Sequence, residues 1–505
     1  MTNTADFNAF LLIFASTFFN IFAEVLQVKV RQILRALDLY CGCGGTSQAL
    51  YEAAELLGYE LKLVAINHSP VAIASHAANH PTAEHICANV ESTNPFSVMH
   101  MLGGLVDLLI ATCSCVHHSN ARGGKPRDEQ LRYSPFDVLD WVERLRPRLV
   151  MLENVKEIMT WGPLDEAGHV ISERKGETFR QWVRRFLSLG YTVDFRVLDA
   201  ADWGDATCRS RWICLASRAD QEIEWPETTH SQHGGHAGLE HLLPWVPARN
   251  ILDWRDPGTS IFDRKKPLAK TTMERILVGL QRFGGGAFIV GAGGPQGAGR
   301  PRSIDRPINT LLTENHKALV QPALRIVNPV PDAASSFLVS YHGSHKNRDD
   351  GKNRVRSVGL PLTTLDTSNR LGLASIHLFK YNSTGGLRPI SMPLGTLTTR
   401  DRYGLVTSGS VVTGSGECYF DIMFRMLHPH EQAAAHSFPP GYVLAGNRDQ
   451  QTMLIGNSIP KQFARAIFLA LLGRPDVRRV LDEAGLLVPP MPAFGDPPFD
   501  LENVA

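Results

Sequence analysis

A doubly wound, mostly parallel α/β sheet with a second, mostly β domain is the fold that this sequence predicts. Over residues 33–218, short apolar segments alternate with helical patterns, as they do when crossover helices join parallel strands. A glycine-rich turn follows the first apolar segment, and helical patterns become rare after residue 218. A chain of 505 residues is long enough for two or more domains.

The elements of the first domain follow from the spacing of apolar residues. Runs rich in valine, isoleucine and leucine predict strands, whereas apolar residues that recur every three or four positions predict helices. The predicted strands are 33–40, 61–67, 106–111, 148–152, 192–198 and 212–216. The predicted helices are 46–57, 70–79, 136–145 and 178–189, and we assign residues 33–218 to one domain.

Residues 219–418 differ in character and predict the second domain. They are rich in glycine, proline, threonine and arginine, and a Pro-apolar-x-Thr-Leu pattern begins at Pro307, Pro361 and Pro393, with a weaker copy at Pro267. Short apolar strands at 288–290, 337–339 and 378–380 precede the full copies, whose unequal spacing favours related hairpin-like units over a solenoid. The basic residues of this region either form solvated surface or contact phosphate; they include Arg300, Arg302, Lys346, Arg354, Arg356, Arg400 and Arg402.

The two ends of the chain have patterns of their own. Helical patterns return at 430–438 and 461–472, so we expect 419–474 to rejoin the first domain and the proline-rich residues 475–505 to form a loosely ordered tail. Residues 1–32 are a hydrophobic extension that lacks the positively charged start of a signal peptide. This extension fits three interpretations: a helix packed on the body of the protein, a membrane span, or a start codon assigned too early.

Charge and cysteine content exclude several classes of protein. The formal net charge is +1, so no overall basic field indicates nucleic acid, although a local basic cleft is compatible with this total. Eight cysteines in so long a chain do not form a disulfide framework, and the close pairs at 41/43 and 113/115 lack the spacing of a zinc site. We expect reduced thiols, a cytoplasmic location and no metal.

Residues with the chemistry for catalysis lie at predicted strand ends, where doubly wound sheets bind their ligands. Cys115 follows the strand 106–111, and taken alone it is more often a small buried hydrophobe than a nucleophile. The turn at 38–45 fits a nucleotide-like ligand and equally fits a tight strand-to-helix turn. A Glu-Asn-Val triplet begins at Glu153, and Arg209 and Arg211 form an Arg-x-Arg pair.

Six segments resemble, in order and spacing, the motifs of the DNA (cytosine-5)-methyltransferase family over about residues 37–218 and 420–472. Residues 38–45 have the family's opening pattern, Asp-x-Tyr-Cys-Gly-x-Gly-Gly. Residues 113–119 resemble its Pro-Cys motif, 153–155 its Glu-Asn-Val motif and 200–211 its Gln-x-Arg-x-Arg segment. Residues 425–439 resemble the motif that runs from Arg-x-Leu-Thr to Phe-Pro, and 456–460 the closing Gly-Asn-Ser-Val-Pro.

This resemblance implies a catalytic methyltransferase domain, with 219–418 as a target-recognition domain. In the family's chemistry a cysteine thiolate adds to carbon 6 of a flipped cytosine, which makes carbon 5 nucleophilic toward a methyl group. Cys115 would supply the thiolate, and Glu153 would hydrogen-bond or protonate N3 of the base. Arg209, together with Arg211, would hold the base and the active-site loop.

The resemblance also implies S-adenosyl-L-methionine as the methyl donor. Asn67 and Asn89 stand where the family has acids near the ribose and the adenine, and each equally fits a turn-forming asparagine. The closing motif contributes Asn457 and Ser458 on the cofactor side. The remaining cofactor residues implied by the opening motif are Asp38, Tyr40, Cys41, Gly42, Gly44 and Gly45.

The cysteine loop departs from the family pattern. Ser114 replaces the proline before the nucleophile, and Val116 replaces the glutamine after it. Cys113 is the competing thiol, and Cys115 is preferred because it stands at the family's distance from the preceding strand. The two histidines at 117 and 118 would suit a metal or a thiolate base, but no acid or cysteine at matching spacing supports a metal.

The leading interpretation is an enzyme that methylates cytosine C5 in double-stranded DNA. Methylation of RNA and a catalytically weakened DNA-binding protein on the same scaffold are the alternatives. The separate β domain favours duplex DNA, and the presence of Cys115, Glu153 and Arg209 together favours catalysis. We expect a monomer without a stable membrane partner, acting either beside a cognate restriction endonuclease or alone.

Overall fold

The structure is a computed structural model. It describes residues 31–113, 134–166, 169–218, 222–235, 241–283, 286–292, 299–327, 336–340, 355–357, 371–380, 387–389, 403–413 and 416–487, with backbone alone between 324 and 420.

A seven-stranded sheet forms the centre of the first domain. Its strand order is β3-β2-β1-β4-β5-β8-β6, and all pairs are parallel except those that β8 makes with β5 and β6. This arrangement confirms the predicted doubly wound, mostly parallel sheet. The strands of this domain are β1 (Gln32–Leu39), β2 (Tyr59–Asn67), β3 (Glu84–Cys87), β4 (Leu108–Thr112), β5 (Leu149–Asn154), β6 (Tyr191–Asp199), the short β7 (Thr207–Cys208) and β8 (Ser210–Arg218).

Helices cover both faces of this sheet because its strands are apolar on both sides. In β1, Leu34 and Ala36 join one buried cluster, whereas Leu37 and Leu39 join another on the opposite face. The helices of this part of the chain are α1 (Gly45–Leu57), α2 (Pro70–Asn79), α3 (Pro95–Met101), α4 (Ser134–Leu145) and α5 (Glu177–Ser188). The first cluster includes residues of α1, and the second includes residues of α3, α4 and α5.

A second, ten-stranded sheet confirms the mostly β domain. Its main order is β13-β12-β15-β21-β20-β18-β16-β17, with β11 on β21 and β19 on β18. The elements of this region are β9 (His230–Ser231), β10 (Leu243–Pro244), β11 (Thr259–Ser260), α6 (Lys270–Phe283), β12 (Phe288–Gly291), β13 (Arg302–Ser303), β14 (Ile308–Asn309), β15 (Lys317–Val327), β16 (Ser336–Ser340), β17 (Val355–Ser357), β18 (Leu371–Lys380), β19 (Leu387–Pro389), β20 (Tyr403–Thr413) and β21 (Gly416–Met426).

The repeated pattern has a structural counterpart. Pro307, Pro361 and Pro393 each stand ten positions before the first residue of a long strand, namely β15, β18 and β20. Each of these strands also pairs antiparallel with an earlier strand, namely β12, β16 and β18. In sequence, each full copy of the repeat therefore precedes the second strand of an antiparallel pair by the same distance.

The weaker copy at Pro267 differs, because it leads into helix α6 and not into a strand. Sequence analysis missed this helix within a region rich in glycine and threonine. Ile276 is buried on one face, and Gly279 lies so close to the Phe288 ring that a methyl group there would clash. Packing on β12 therefore stabilises this helix.

The end of the chain continues through α7 (Pro429–Ala435), α8 (Arg448–Asn457) and α9 (Lys461–Leu471), and α9 packs in the buried cluster of the first sheet. The prediction of a loosely ordered tail from residue 475 was wrong for its beginning, because α10 (Val477–Glu483) is a packed helix. Val477, Val480 and Leu481 have helical spacing and are buried in the cluster shared by α1 and α9. The hydrophobic extension at 1–30 lies outside the described residues, and no helix within the described ranges is long and apolar enough to cross a bilayer.

Candidate functional site

Three neighbouring strand ends bring the predicted site residues together. In the sheet register Leu39 of β1 stands opposite Ala111 of β4, and Thr112 of β4 stands opposite Glu153 of β5. Thr112 Oγ1 also donates a hydrogen bond of 3.1 Å to the Tyr40 carbonyl. The glycine turn, the start of the cysteine loop and Glu153 therefore share the carboxyl edge of the sheet, where the strand order reverses and doubly wound folds bind ligands.

The glycine turn needs its glycines for two physical reasons. Gly42 and Gly44 have φ angles of 56° and 99°, in the left-handed region that side chains disfavour. Gly45 has no such strain, but a Cβ there would lie 2.7 Å from the Ile459 carbonyl. The closing segment 456–460 is thus packed directly against the start of α1. Tyr442 Oη reaches the same turn and donates to the Cys43 carbonyl at 2.7 Å.

Asp38 is fully buried beneath this turn. Its Oδ2 accepts hydrogen bonds from Thr46 Oγ1 at 2.6 Å and Ser47 Oγ at 2.7 Å, and burial raises the pKa of its carboxyl to about 6. Asp38 Oδ1 and Tyr40 Oη are buried without a hydrogen-bond partner among the described residues. Since buried polar atoms are normally satisfied, two such atoms at one turn are typical of a polar ligand site.

His76, which the sequence pattern did not predict as a site residue, contacts the Ser47 hydroxyl that donates to Asp38. His76 Nε2 lies 2.9 Å from Ser47 Oγ, and its Nδ1 lies 2.8 Å from His85 Nε2. Ser47 has one hydroxyl hydrogen, which it donates to Asp38, so His76 Nε2 must donate to Ser47 and Nδ1 must accept from His85. Burial keeps the pKa of His76 well below its usual value, which agrees with a neutral ring. No spacing rule links these residues, because three separate elements contribute them.

The two asparagines of the cofactor prediction have different environments. Asn67 ends β2, is nearly buried, and accepts a 2.9 Å hydrogen bond from the Ser69 amide at the start of α2. Asn89 follows β3 and is exposed, and its backbone carbonyl accepts from the Thr93 hydroxyl at 2.8 Å. Asn67 is therefore a turn-forming asparagine whose location at a strand end also suits a ligand contact.

Glu153 and Arg211 form a buried ion pair in which Nε lies 2.8 Å from Oε1. Both side chains are about nine-tenths buried, and β5 and β8 hold them on adjacent strands. Arg209 donates to the carbonyls of Leu311 and Gly456, each at 2.9 Å. The two predicted arginines thus differ, since Arg211 pairs with the predicted acid and Arg209 joins the second domain to the closing segment.

The predicted nucleophile Cys115 lies outside the described residues, as do the two histidines that follow it. The loop is anchored at its first residue, because Asn154 Nδ2 donates to the Cys113 carbonyl at 3.3 Å. The competing thiol of Cys113 is buried, and burial together with Glu153 raises its pKa well above the usual value. Cys41 is likewise buried with a raised pKa. Neither thiol has the electropositive, accessible environment of a reactive cysteine.

The segment 425–439 and the closing segment 456–460 pack against each other next to the site. Asn457 is exposed at the end of α8, whereas Ser458 is buried and its hydroxyl lies 3.0 Å from His436 Nδ1. His436 is completely buried, and burial and the nearby Arg209 and Arg211 hold its pKa well below the usual value. Sequence analysis missed His436 because a histidine in a helical apolar pattern carries no signal of its own.

The segment that begins at Arg425 has a structural role. Its guanidinium makes two 2.7 Å hydrogen bonds to the buried Glu431 carboxylate, which also accepts from the Asp253 amide at 2.6 Å. This pair ties the last strand of the second sheet to α7. Within the described ranges, no group of three or more histidine, cysteine, aspartate or glutamate side chains could hold a metal ion.

One family model and several known proteins are similar to part of this chain. Residues 34–244 match the family model of C-5 cytosine-specific DNA methylases. The chain is 29% identical over 270 residues to the type II methyltransferase M.AgeI of Thalassovita gelatinovora, which covers 49% of this chain and 58% of that protein. It is 31% identical over 154 residues to the type II methyltransferase M.BspRI of Lysinibacillus sphaericus, covering 30% of this chain and 32% of that protein. The S. pombe Dnmt2 methyltransferase structure aligns with 87% of this chain and 98% of its own, at 13% identity and a TM-score of 0.43. This chain thus spans little more than half the length of the first of these relatives.

Proposed function

We propose that this chain, a member of the C-5 cytosine-specific DNA methylase family through residues 34–244, transfers a methyl group to carbon 5 of cytosine in double-stranded DNA. The observation that carries this proposal is the shared edge of β1, β4 and β5. There the glycine turn, Cys113, two positions before Cys115 in the sequence, and the buried Glu153–Arg211 pair meet. This edge combines a ligand turn, a thiol loop and a buried acid, which is what such a transfer needs.

S-adenosyl-L-methionine, when bound, would supply an electrophilic methyl group on a sulfonium. The unsatisfied Asp38 Oδ1 and Tyr40 Oη support its fit, because both are buried at the turn and lack partners among the described residues. Asp38 would complement the cationic amino end, and Asn67 would face the ribose hydroxyls. Gly42 and Gly44 would let the backbone approach the ligand.

The residues of this chain would act on the base as follows. The Cys115 thiolate would form a bond to carbon 6 as the electron pair moves toward carbon 5 and the ring. Glu153 would hold a proton at N3 and so stabilise the charge that develops there. Arg211 would fix the Glu153 carboxyl, because its guanidinium already holds Oε1 at 2.8 Å. After carbon 5 gains the methyl group, it would lose its proton to solvent water, and the electron pair of that C–H bond would restore the carbon 5–carbon 6 double bond. The Cys115–carbon 6 bond would then break, with its electron pair returning to sulfur as the thiolate.

The test is transfer of labelled methyl groups to duplex DNA of mixed sequence by the purified full chain. Cys115→Ser should abolish transfer, because a serine hydroxyl is far less ionised and less nucleophilic than a thiol. Cys113→Ser is the matched control and should retain most activity. Wild-type protein that is folded yet transfers nothing to DNA would refute the proposal. Loss of activity only in Cys113→Ser would show that Cys113, and not Cys115, is the nucleophile.

Two other activities are outcomes of the same assay. Transfer to RNA in preference to duplex DNA would indicate an RNA cytosine methyltransferase. DNA binding without transfer would indicate a catalytically weakened homologue. We favour duplex DNA because a separate ten-stranded β domain follows the catalytic one, and a partner restriction endonuclease is compatible with this activity.

A further inference from the structure

A basic cleft lies between the end of α6 and the loop that joins β13 to β14. Its volume is about 460 Å³, and four arginines line it, namely Arg282, Arg300, Arg302 and Arg306. The other lining residues are Phe283, Pro301, Ser303 and Asn309, so no carboxylate faces the cleft among the described residues. Four arginines around one concave surface are unusual in a chain whose total charge is only +1.

No acid that the structure describes neutralises the positive charge of this cleft. None of its four arginines forms an ion pair with a described residue, and the nearby acid Asp305 is paired with Arg249 instead. Lys317 is largely buried beside the cleft, and burial with the charges of Arg302 and Arg275 lowers its pKa to about 8. Burial is the larger cause of this lowered pKa, and the two neighbouring arginines add to it.

The cleft is fixed to β7, the short strand that immediately precedes β8 and its Arg211. Arg302 donates from Nη1 to Asn309 Oδ1, and its Nη2 lies 3.9 Å from Cys208 Sγ. Asn309 of β14 is also in register with Cys208 of β7. Three residues after Cys208 the chain reaches Arg211, which pairs with Glu153. A ligand in the cleft would therefore be held next to β7, the short strand that leads directly into the strand of Arg211.

We propose that this cleft binds backbone phosphates of duplex DNA and so fixes the duplex relative to the strand that leads to Arg211. This inference rests on the proposed function and names the side chains through which the substrate is held. The guanidinium fork matches a phosphate with two parallel hydrogen bonds, and such contacts position a duplex without reading its sequence. Arg302 is held in place by Asn309, whereas Arg282 and Arg300 are exposed at the rim.

The experiment measures binding of a fluorescent mixed-sequence duplex by the full chain over about 0.05–0.3 M salt. Each lost phosphate contact should lower the slope of log K against log salt by about 0.9 and weaken binding roughly five- to tenfold near 0.1 M salt. The double variant Arg282→Ala/Arg300→Ala should therefore lower the slope by about 2. Arg282→Lys/Arg300→Lys should restore most of the slope, because the charge is kept.

The matched control is Arg180→Ala/Arg184→Ala, which removes two exposed arginines from α5 on the first domain. It changes the net charge equally, and its slope should remain that of the wild type. Calorimetric titration with S-adenosyl-L-methionine reports whether the first domain is folded. The measured affinity should be the same in all variants. A wild-type slope in Arg282→Ala/Arg300→Ala would overturn the proposal that the cleft binds phosphates, while leaving the methyl-transfer proposal intact. Wild-type protein that binds no duplex would overturn both.

Discussion

At the scale of single residues, Asp38 holds a charge that the fold disfavours. Its carboxyl is buried, and only Oδ2 has hydrogen-bond donors, from Thr46 and Ser47. Its pKa is raised from 3.8 to about 6, so the folded state prefers the protonated form. The contribution of Asp38 to the free energy of unfolding is therefore most favourable below about pH 4, where the carboxyl is protonated. This contribution is lost as the pH rises through 6.

Asp38→Asn should therefore stabilise the protein at neutral pH. An asparagine Oδ1 can take both hydroxyl hydrogen bonds, and the neutral side chain avoids a penalty of up to about 3 kcal/mol, from about 2 pKa units. We expect a net gain of about 1–2 kcal/mol in the free energy of unfolding at pH 7.5, since the amide NH₂ would lack acceptors. Urea denaturation should show this gain shrinking as the pH falls toward 4. Affinity for S-adenosyl-L-methionine should fall in the same variant.

Asp205 is the matched contrast, because burial also raises its pKa to about 6. Both of its oxygens are occupied, Oδ1 by the Gln462 amide at 3.4 Å and Oδ2 by the Phe463 amide at 2.9 Å. An asparagine would turn an NH₂ group toward one of these N–H donors. This repulsion offsets the charge penalty that the substitution removes, so Asp205→Asn should gain less stability at pH 7.5 than Asp38→Asn. A similar gain in both variants would contradict the explanation offered for Asp38.

At the scale of elements, the start of α1 is closed by a segment more than 400 positions away. A methyl group on Gly45 would lie 2.7 Å from the Ile459 carbonyl and 3.3 Å from Ser458 Cβ. Gly45→Ala should push residues 456–460 away from the turn, cost about 1–3 kcal/mol of stability and weaken cofactor binding. Gly286→Ala is the control, because the nearest atom to its Cβ is at 3.4 Å and its φ is not left-handed. Equal shifts in melting temperature for the two variants would show that the close contact at Gly45 does not reduce the stability of the alanine variant.

Elements were predicted well wherever a single strand or helix carried its own pattern. The predicted helix at 70–79 has the observed bounds of α2, and the longer strands of the first domain were predicted within a few residues, whereas the short β3 and β7 were missed. Helices α3, α6, α8 and α10 were also missed; α3 and α10 are only seven residues long, and α6 packs Gly279 against Phe288. In the site, the motifs located Glu153 and the glycine turn, but the contacts of His76 and His436 depend on elements brought together only by folding.

At the scale of the whole molecule, one joint connects the two domains and the closing segment. Arg209 donates to Leu311 and Gly456, and Thr310 Oγ1 donates to the Cys208 carbonyl at 3.1 Å. Thr310 and Leu311 are the Thr-Leu pair of the first full repeat, so this repeat attaches the second domain to the first. A Cβ on Gly456 would lie 2.3 Å from the Leu312 carbonyl, which explains why the closing segment has a glycine there.

Arg209→Lys tests this joint. A lysine keeps the charge, but its single nitrogen cannot replace two guanidinium nitrogens that reach carbonyls from different segments. We expect a loss of about 2–4 kcal/mol, because a hydrogen bond to a charged group contributes about 1.5–3 kcal/mol. Calorimetric unfolding should also broaden or split, since the two domains would then unfold more independently. Arg211→Lys is the control: its amine can still pair with Glu153, so it should reduce methyl transfer more than stability. A single wild-type transition in Arg209→Lys would show that other contacts hold the domains together.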